Sequence, residues 1–238
     1  MIKINKNFFN KIDTEERAYW LGFIWADGHV SVKAPWFLVV QIKDRDHLEK
    51  LCESLEYEGT IKVVHGSGYN PDAVHYRVAF CRKTLCEDLN NLGRNSCKEK
   101  FPLIHNDLKR HFLRGYFDGD GCIHAGASSS SGKKYTYLHA NFIAENNLAL
   151  NIQDFLLENN VSSVIHDSKT DHMKYVKISG GNNMRCLHKL MYDNATVFLN
   201  RKNVLWQYLY GAHGEKSLLK NPEYAGTPLE SNNTKQFK

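Results

Sequence analysis

Two aspartates draw attention by the company they keep. Asp27 lies in YWLGFIWADGHV, residues 19–30, and Asp120 in FLRGYFDGDGCI, residues 112–123. Both segments have the form apolar-x-Gly-aromatic-apolar-x-small-Asp-Gly-x-apolar, so one pattern occurs twice in the chain. Each segment reads as a short helix ended by Gly28 or Gly121, glycine being the usual residue just past a helix end. A carboxylate there faces the negative end of the helix dipole, about 0.3–1 kcal/mol in the wrong direction. A second carboxylate alongside adds like-charge repulsion. A divalent cation would relieve both: hard oxygen ligands with open water positions describe a Mg²⁺ site acting on phosphates. Metal ions that hold the attacking and leaving oxygens suit phosphodiester hydrolysis. The plainer alternative is that each aspartate merely turns the chain before its glycine.

The elements that must position these residues are legible in the spacing of small side chains. Gly22 and Ala26 are four apart, as are Gly115 and Gly119, and residues at i and i+4 share a helix face. Interior helical glycine costs about 1 kcal/mol against alanine, so it needs a reason, and close approach of two helix backbones supplies one. The two motif helices are therefore expected to pack on each other through Gly22, Ala26, Gly115 and Gly119.

The stretches downstream of the two motifs also match each other. After Gly28, HVSVKAPWFLVVQIK carries strand signals broken at Pro35. A helix from Asp44 to Leu55 comes next, then strands at TIKVV and HYRVAF and a helix from Lys83 to Leu92. After Gly121 come CIHAGA, a hairpin tip at residues 128–134, YTYLHANFI, a helix near Asn147–Glu158, strands at VSSVIH and KYVKIS, and a helix from Asn183 to Tyr192. The fold class is α+β, two tandem copies of one helix–hairpin–helix–hairpin plan, with residues 93–111 as connector. The polar stretch after about Gly211 reads as a loosely ordered tail.

Composition bounds the rest. The chain has 238 residues, 31 Lys+Arg against 26 Asp+Glu, and is 42% hydrophobic, an ordinary globular balance. Its opening, MIKINKNFFN, lacks the apolar run of a secretory signal, and no stretch approaches the roughly 18 apolar residues of a membrane span. A cytoplasmic or organellar-matrix location is expected. Six cysteines without C-x-x-C spacing read as reduced, mostly core-filling thiols, and the histidines as scattered surface or strand residues. The mild positive excess suits a polyanion partner. No phosphate-binding GxxxxGK[ST] loop is present, which argues against an NTPase.

With these residues in view, the chain resembles a two-motif LAGLIDADG homing endonuclease from about Phe8 to Trp206. The segments that carry the resemblance are EERAYWLGFIWADGHV, KRHFLRGYFDGDGCI and the closing YDNATVFLNRKNVLW. The resemblance implies tandem pseudo-twofold αββαββα repeats, with subdomains at 1–98 and 99–210 and a polar tail at 211–238. Two antiparallel sheets would form a DNA-binding saddle, with the motif helices at the domain interface. It further implies double-strand DNA cleavage by a monomer with Mg²⁺ or Mn²⁺ as cofactor, held by Asp27 and Asp120. The family's basic residue maps to Lys202 in the second copy and, in the first, to Arg94 or Lys98, because Asn95 stands where lysine is expected. A further polar position falls on Asp44 and Glu145, which equally suit ordinary helix N-caps.

Strand alternation then nominates the DNA-facing side chains. His29, Ser31 and Lys33 share one face opposite Val30 and Val32. In the second copy Tyr135, Tyr137, His139 and Asn141 share a face, Arg77 and His75 sit on a further strand, and Lys133 and Lys134 occupy the hairpin tip. Lysine and arginine supply phosphate affinity, while Asn, Arg and His can read base edges. The rival reading keeps the fold without the cutting, as an intron RNA maturase or a DNA-binding regulator. Met at position 1 and the ending TKQFK do not match a protein-splicing element, so an intron-encoded or free-standing enzyme is expected.

Overall fold

The computed structural model describes residues 2–66, 71–93, 101–130, 133–169 and 172–210, with backbone alone at 125–130, 133–137, 205 and 207–210. The element order is α1 (Glu15–Asp27), β1 (Gly28–Val30), β2 (Leu38–Ile42), α2 (Arg45–Ser54), β3 (Lys62–His65), β4 (Val74–Phe80) and α3 (Lys83–Asn91). The same order repeats as α4 (Asn106–Asp120), β5 (Gly121–Ser130), β6 (Lys133–Glu145), α5 (Asn146–Glu158), β7 (Val164–Asp167), β8 (Met173–Ser179) and α6 (Gly181–Tyr192), and the last element is α7 (Asn200–Tyr210). Each repeat builds one antiparallel sheet, in the orders β1-β2-β4-β3 and β5-β6-β8-β7.

Contacts divide the chain into two compact units, residues 1–119 and 120–238. Helix α4 lies in the first unit up to Gly119, and Gly115 and Gly119 there stand against α1.

Within the first unit, α1 starts at Thr14, whose hydroxyl accepts the Arg17 backbone N–H at 3.3 Å, and carries Glu15 and Glu16 in its first turn. Residues Ala18 to Trp25 are all buried, so this helix is covered on every side, as a core helix is. Trp20 donates its indole N–H to Ser54 Oγ at 2.8 Å, and Ser54 donates on to Glu16 Oε1 at 2.6 Å. This ties α1 to the end of α2. The inner face of the sheet, including Leu38, Val40, Val78 and Phe80, is buried, as the alternation of an antiparallel strand with one wet face demands. The second unit repeats the scheme with Ala140, Phe142, Val176 and Ile178 inside, and α7 contributes the fully buried Trp206, its ring 5.3 Å from His188 and 5.8 Å from Tyr192.

The helix ends depart from the sequence reading. Gly28 has φ −81° and ψ 144°, an extended conformation open to any residue; it is already the first residue of β1. Its reason is space. An added Cβ would lie 2.7 Å from the Ile24 carbonyl oxygen and side chain, inside any tolerable contact. The hairpin tip is also shorter than expected, since β5 runs through Ser130 and β6 starts at Lys133. Among the five described cysteines, all free thiols, Cys52 and Cys86 are buried while Cys81 and Cys186 are exposed, so core filling describes only some of them. His47 and His111 are buried helix residues, a correction to the expected surface or strand placement. Among the described residues no helix is long and apolar enough to cross a membrane.

Candidate functional site

Helices α1 and α4 meet at their small residues. A Cβ on Gly22 would stand 2.0 Å from the Phe112 carbonyl oxygen, and one on Gly115 would stand 1.9 Å from the Tyr19 carbonyl oxygen. Backbone lies against backbone at both points. Nearer the helix ends, a Cβ on Gly119 would meet Ala26 Cβ at 2.4 Å and the Asp27 carboxylate at 3.2 Å. Gly22, Ala26, Gly115 and Gly119 are thus brought together, and Asp27 emerges exposed from the end of this contact. Asp120 closes α4 and is half-buried.

A buried polar network that alternation and motif reading passed over sits on the same helix pair. Arg114 is fully buried, donates to Glu15 Oε1 at 2.6 Å, and lies over the Tyr19 ring with its guanidinium carbon 5.2 Å from the centroid. Its other arm meets His111 Nδ1 at 2.9 Å. Burial and the Arg114 cation push the His111 pKa down to about 4, so the ring is neutral at pH 7. One turn on, Tyr19 donates its hydroxyl hydrogen to Asp118 Oδ2 at 2.7 Å and contacts His47 Nε2 at 3.0 Å. Tyrosine has only that hydrogen to give, so His47 donates through Nε2. The signal for this network was present: Arg114 and Asp118 interrupt an apolar helix at i and i+4, one face of it.

Lys202 sits in the second unit with 1% of its surface exposed and donates from Nζ to the Gly121 carbonyl oxygen at 2.6 Å. A buried ammonium is costly unless partnered, and this one is delivered to the residue after Asp120. Lys98 and Arg94 lie outside the described residues. Asp44 and Glu145 occupy the N-cap positions of α2 and α5, and neither side chain closes on its first turn.

The outward sheet faces hold most of the remaining nominees. In the first sheet His29, Gln41, Arg77, His75 and Lys62 share the outer row set, with Gln41 opposite Arg77 and Arg77 opposite Lys62. In the second, Cys122 pairs with Asn141, His124 with His139, and Asn141 with Lys177. The His124 and His139 rings stack at 4.9 Å. Burial, then Lys177 and His124, hold the His139 pKa down to about 4. Lys133, Lys134, Tyr135 and Tyr137 are described by backbone alone, which continues the β6 register opposite residues 130–126. Ser31 is a correction: β1 ends at Val30, and Ser31 is buried, its hydroxyl accepting the Phe37 N–H at 2.8 Å and its carbonyl the Asn90 side chain at 3.1 Å. It ties the β1–β2 turn to α3. Lys33 is exposed in that turn, and Val32 is exposed too, because alternation stops where the strand does. Gln41, Lys62 and Lys177 were missed although each alternates with buried apolar neighbours or pairs with one that does.

The same architecture occurs in known proteins. Residues 107–191, α4 to α6, match the family model of the LAGLIDADG-like domain. Over that stretch the chain is similar to LAGLIDADG-like domains. The fold is that of the LAGLIDADG meganuclease I-AabMI bound to uncleaved DNA, with TM-score 0.56 and 17% identity, covering 85% of this chain and 95% of that one. It is likewise that of the homing endonuclease I-WcaI bound to its DNA recognition sequence, with TM-score 0.53 and 14% identity over 78% and 85% of the two chains. Two curated relatives from Methanocaldococcus jannaschii match about half of this chain. They are glutamine–fructose-6-phosphate aminotransferase, 30% identical over 126 residues, and the replication factor C small subunit, 32% identical over 123. The match spans only 11% and 6% of those two proteins.

Proposed function

We propose that this chain is a site-specific double-strand DNA endonuclease. One observation carries the reading: in each unit a motif aspartate leads directly into the first strand of a sheet whose outer face is polar. Asp27 precedes β1 and Asp120 precedes β5. Carboxylates therefore stand at the head of surfaces able to hold a polyanion. The solved structures that share the fold, I-AabMI and I-WcaI, are each bound to DNA.

Asp27 and Asp120 are the proposed catalytic carboxylates and the ligands for Mg²⁺ or Mn²⁺. Among the described residues no group of three His, Cys, Asp or Glu converges to hold a metal. Two hard carboxylates fit a cation that keeps waters and takes its other ligands from substrate phosphates. Such an ion would neutralise charge on the attacked phosphate and activate water. Lys202 places a cation on the carbonyl of Gly121, the residue after Asp120. The sheet faces bind and orient the duplex, with Lys62, Arg77 and Lys177 supplying cations and Gln41, Asn141 and the histidines supplying hydrogen bonds. Lys33, Lys133 and Lys134 are further proposed phosphate contacts.

The test is a supercoiled plasmid carrying the sequence that flanks this chain's own gene, joined without the gene, incubated in Mg²⁺ and in EDTA. A unique linear product in Mg²⁺ alone is expected. Tight binding without any cut would leave a DNA-binding regulator, and intron-RNA splicing without a cut would leave a maturase.

A further inference from the structure

The two sheets can be laid on one another by register, counting from each unit's own aspartate. Gly28 pairs with Val40 and Gly121 with Phe142. The rung level with Asp27 is thus Gln41–Arg77–Lys62, and its equivalent, level with Asp120, is Ile143–Tyr175–His166. One rung further from the aspartate stand His29–Val39–Ala79 in the first unit and Cys122–Asn141–Lys177 in the second.

The first rung is built for a ligand. Gln41, Arg77 and Lys62 are all exposed, and two cations placed directly opposite each other on adjacent strands repel. Among the described residues neither cation has an acidic partner. An antiparallel ribbon fits the major groove, where arginine takes guanine O6 and N7 together and Gln or Asn takes adenine N6 and N7. A strand advances about 3.4 Å per residue, matching the roughly 3.4 Å rise of one DNA strand per nucleotide. One rung, two residues, therefore corresponds to about two base pairs.

We infer, resting on the DNA reading above, that Arg77 is a guanine-specifying residue level with Asp27, flanked by Gln41, and that the second half-site is read by Asn141 one rung further out.

The experiment is selection of bound duplexes from a randomised pool by the full chain in metal-free buffer, repeated with Arg77→Gln and Asn141→Ala. Exposed Arg77 and half-buried Asn141 are replaced without disturbing the core, and circular dichroism checks the fold. The unsubstituted chain should enrich a guanine whose preference over other bases drops roughly 5- to 150-fold in the Arg77 variant. Asn141→Ala should relax an adenine at a position that Arg77→Gln leaves unchanged. A uniform loss of affinity for all sequences in Arg77→Gln, with a shallower salt dependence, would make Arg77 a phosphate contact and overturn the inference while leaving DNA binding intact. An unchanged sequence preference in Asn141→Ala would overturn the assignment of Asn141. Failure of the unsubstituted chain to enrich any sequence would overturn the DNA reading itself, and the inference with it.

Discussion

At the scale of single residues, the pairing of chemistry with anchoring is uneven between the two copies. Asp27 is exposed, whereas Asp120 is half-buried and precedes a glycine whose carbonyl holds a buried ammonium. Replacing Asp27 or Asp120 by Asn keeps shape and removes a charge, so either change should abolish or greatly slow cutting of both strands while gel-shift binding survives. Full double-strand cutting by both variants in the plasmid assay would refute the catalytic assignment. The Tyr19 hydroxyl is a second residue-scale test. It joins Asp118 and His47 across three helices at 2.7 and 3.0 Å. Tyr19→Phe should cost about 1–3 kcal/mol, the penalty of stranding buried polar groups, read as a lower urea midpoint. A midpoint equal to the parent would mean that the hydroxyl contributes nothing net.

At the scale of elements, the α1–α4 contact is close enough that even a methyl group is too large. With a carbonyl oxygen 1.9 Å from the position a Cβ would occupy, Gly115→Ala must push the helices apart. Against the roughly 1 kcal/mol that alanine gains over glycine in a helix, overpacking costs about 1–3 kcal/mol, and backbone cannot yield as a side chain can. A net fall in melting temperature is expected. Gly119→Ala meets Ala26 Cβ at 2.4 Å, a smaller overlap with an equally fixed atom, and should cost less. Equal stability of both variants and the parent would remove the close-packing argument. The Glu15–Arg114 pair fixes the register of the same two helices. Arg114→Met leaves the partly exposed Glu15 without this partner, so it should be less stable than the double variant Arg114→Met with Glu15→Gln.

At the scale of the whole molecule, pH and salt report on folding and binding separately. His111 and His139 both have native pKa values near 4, below the ordinary 6.5. Between those values the unfolded chain holds protons that the native chain does not, so stability is complete above about pH 6.5 and falls as the pH drops toward 4. For buried His111, which faces Glu15, Arg110 and Arg114, the effect is at most about 3 kcal/mol. Urea unfolding at pH 7 and 4.5 should show a smaller pH effect in His111→Gln than in the parent. An identical pH effect would assign acid sensitivity to other groups. If the sheet faces engage roughly 6–10 phosphates, affinity should fall by about 10³–10⁵ between 50 and 200 mM salt; a flat profile would contradict the proposed interface.

How much of this was legible without coordinates depends on the range of the interaction. The repeated pattern around Asp27 and Asp120, the order of helices and strands, and the small residues of the motif helices are written locally, in spacing and alternation along one element. Strand and helix periods are local properties of the backbone, so the α+β plan could be read directly from them. Ser31 was misassigned because alternation says which face a residue takes only while the strand continues, and Val30 is where pairing with β2 stops. Gly28 was given the right place for the wrong reason: its constraint is the distance to Ile24, not its own φ. The spacing of Arg114 and Asp118 along α4 was visible, but their partners, and the part played by His47, needed the tertiary structure. A buried charge is tolerated only where a partner from another element meets it, and Glu15 and Tyr19 come from a helix far away in the chain. The rungs across each sheet are likewise tertiary facts, because register between strands joined by helices is set by which apolar faces bury together. The sequence alone nominated the residues proposed to carry chemistry; the packing of separate elements decided which of them stand side by side.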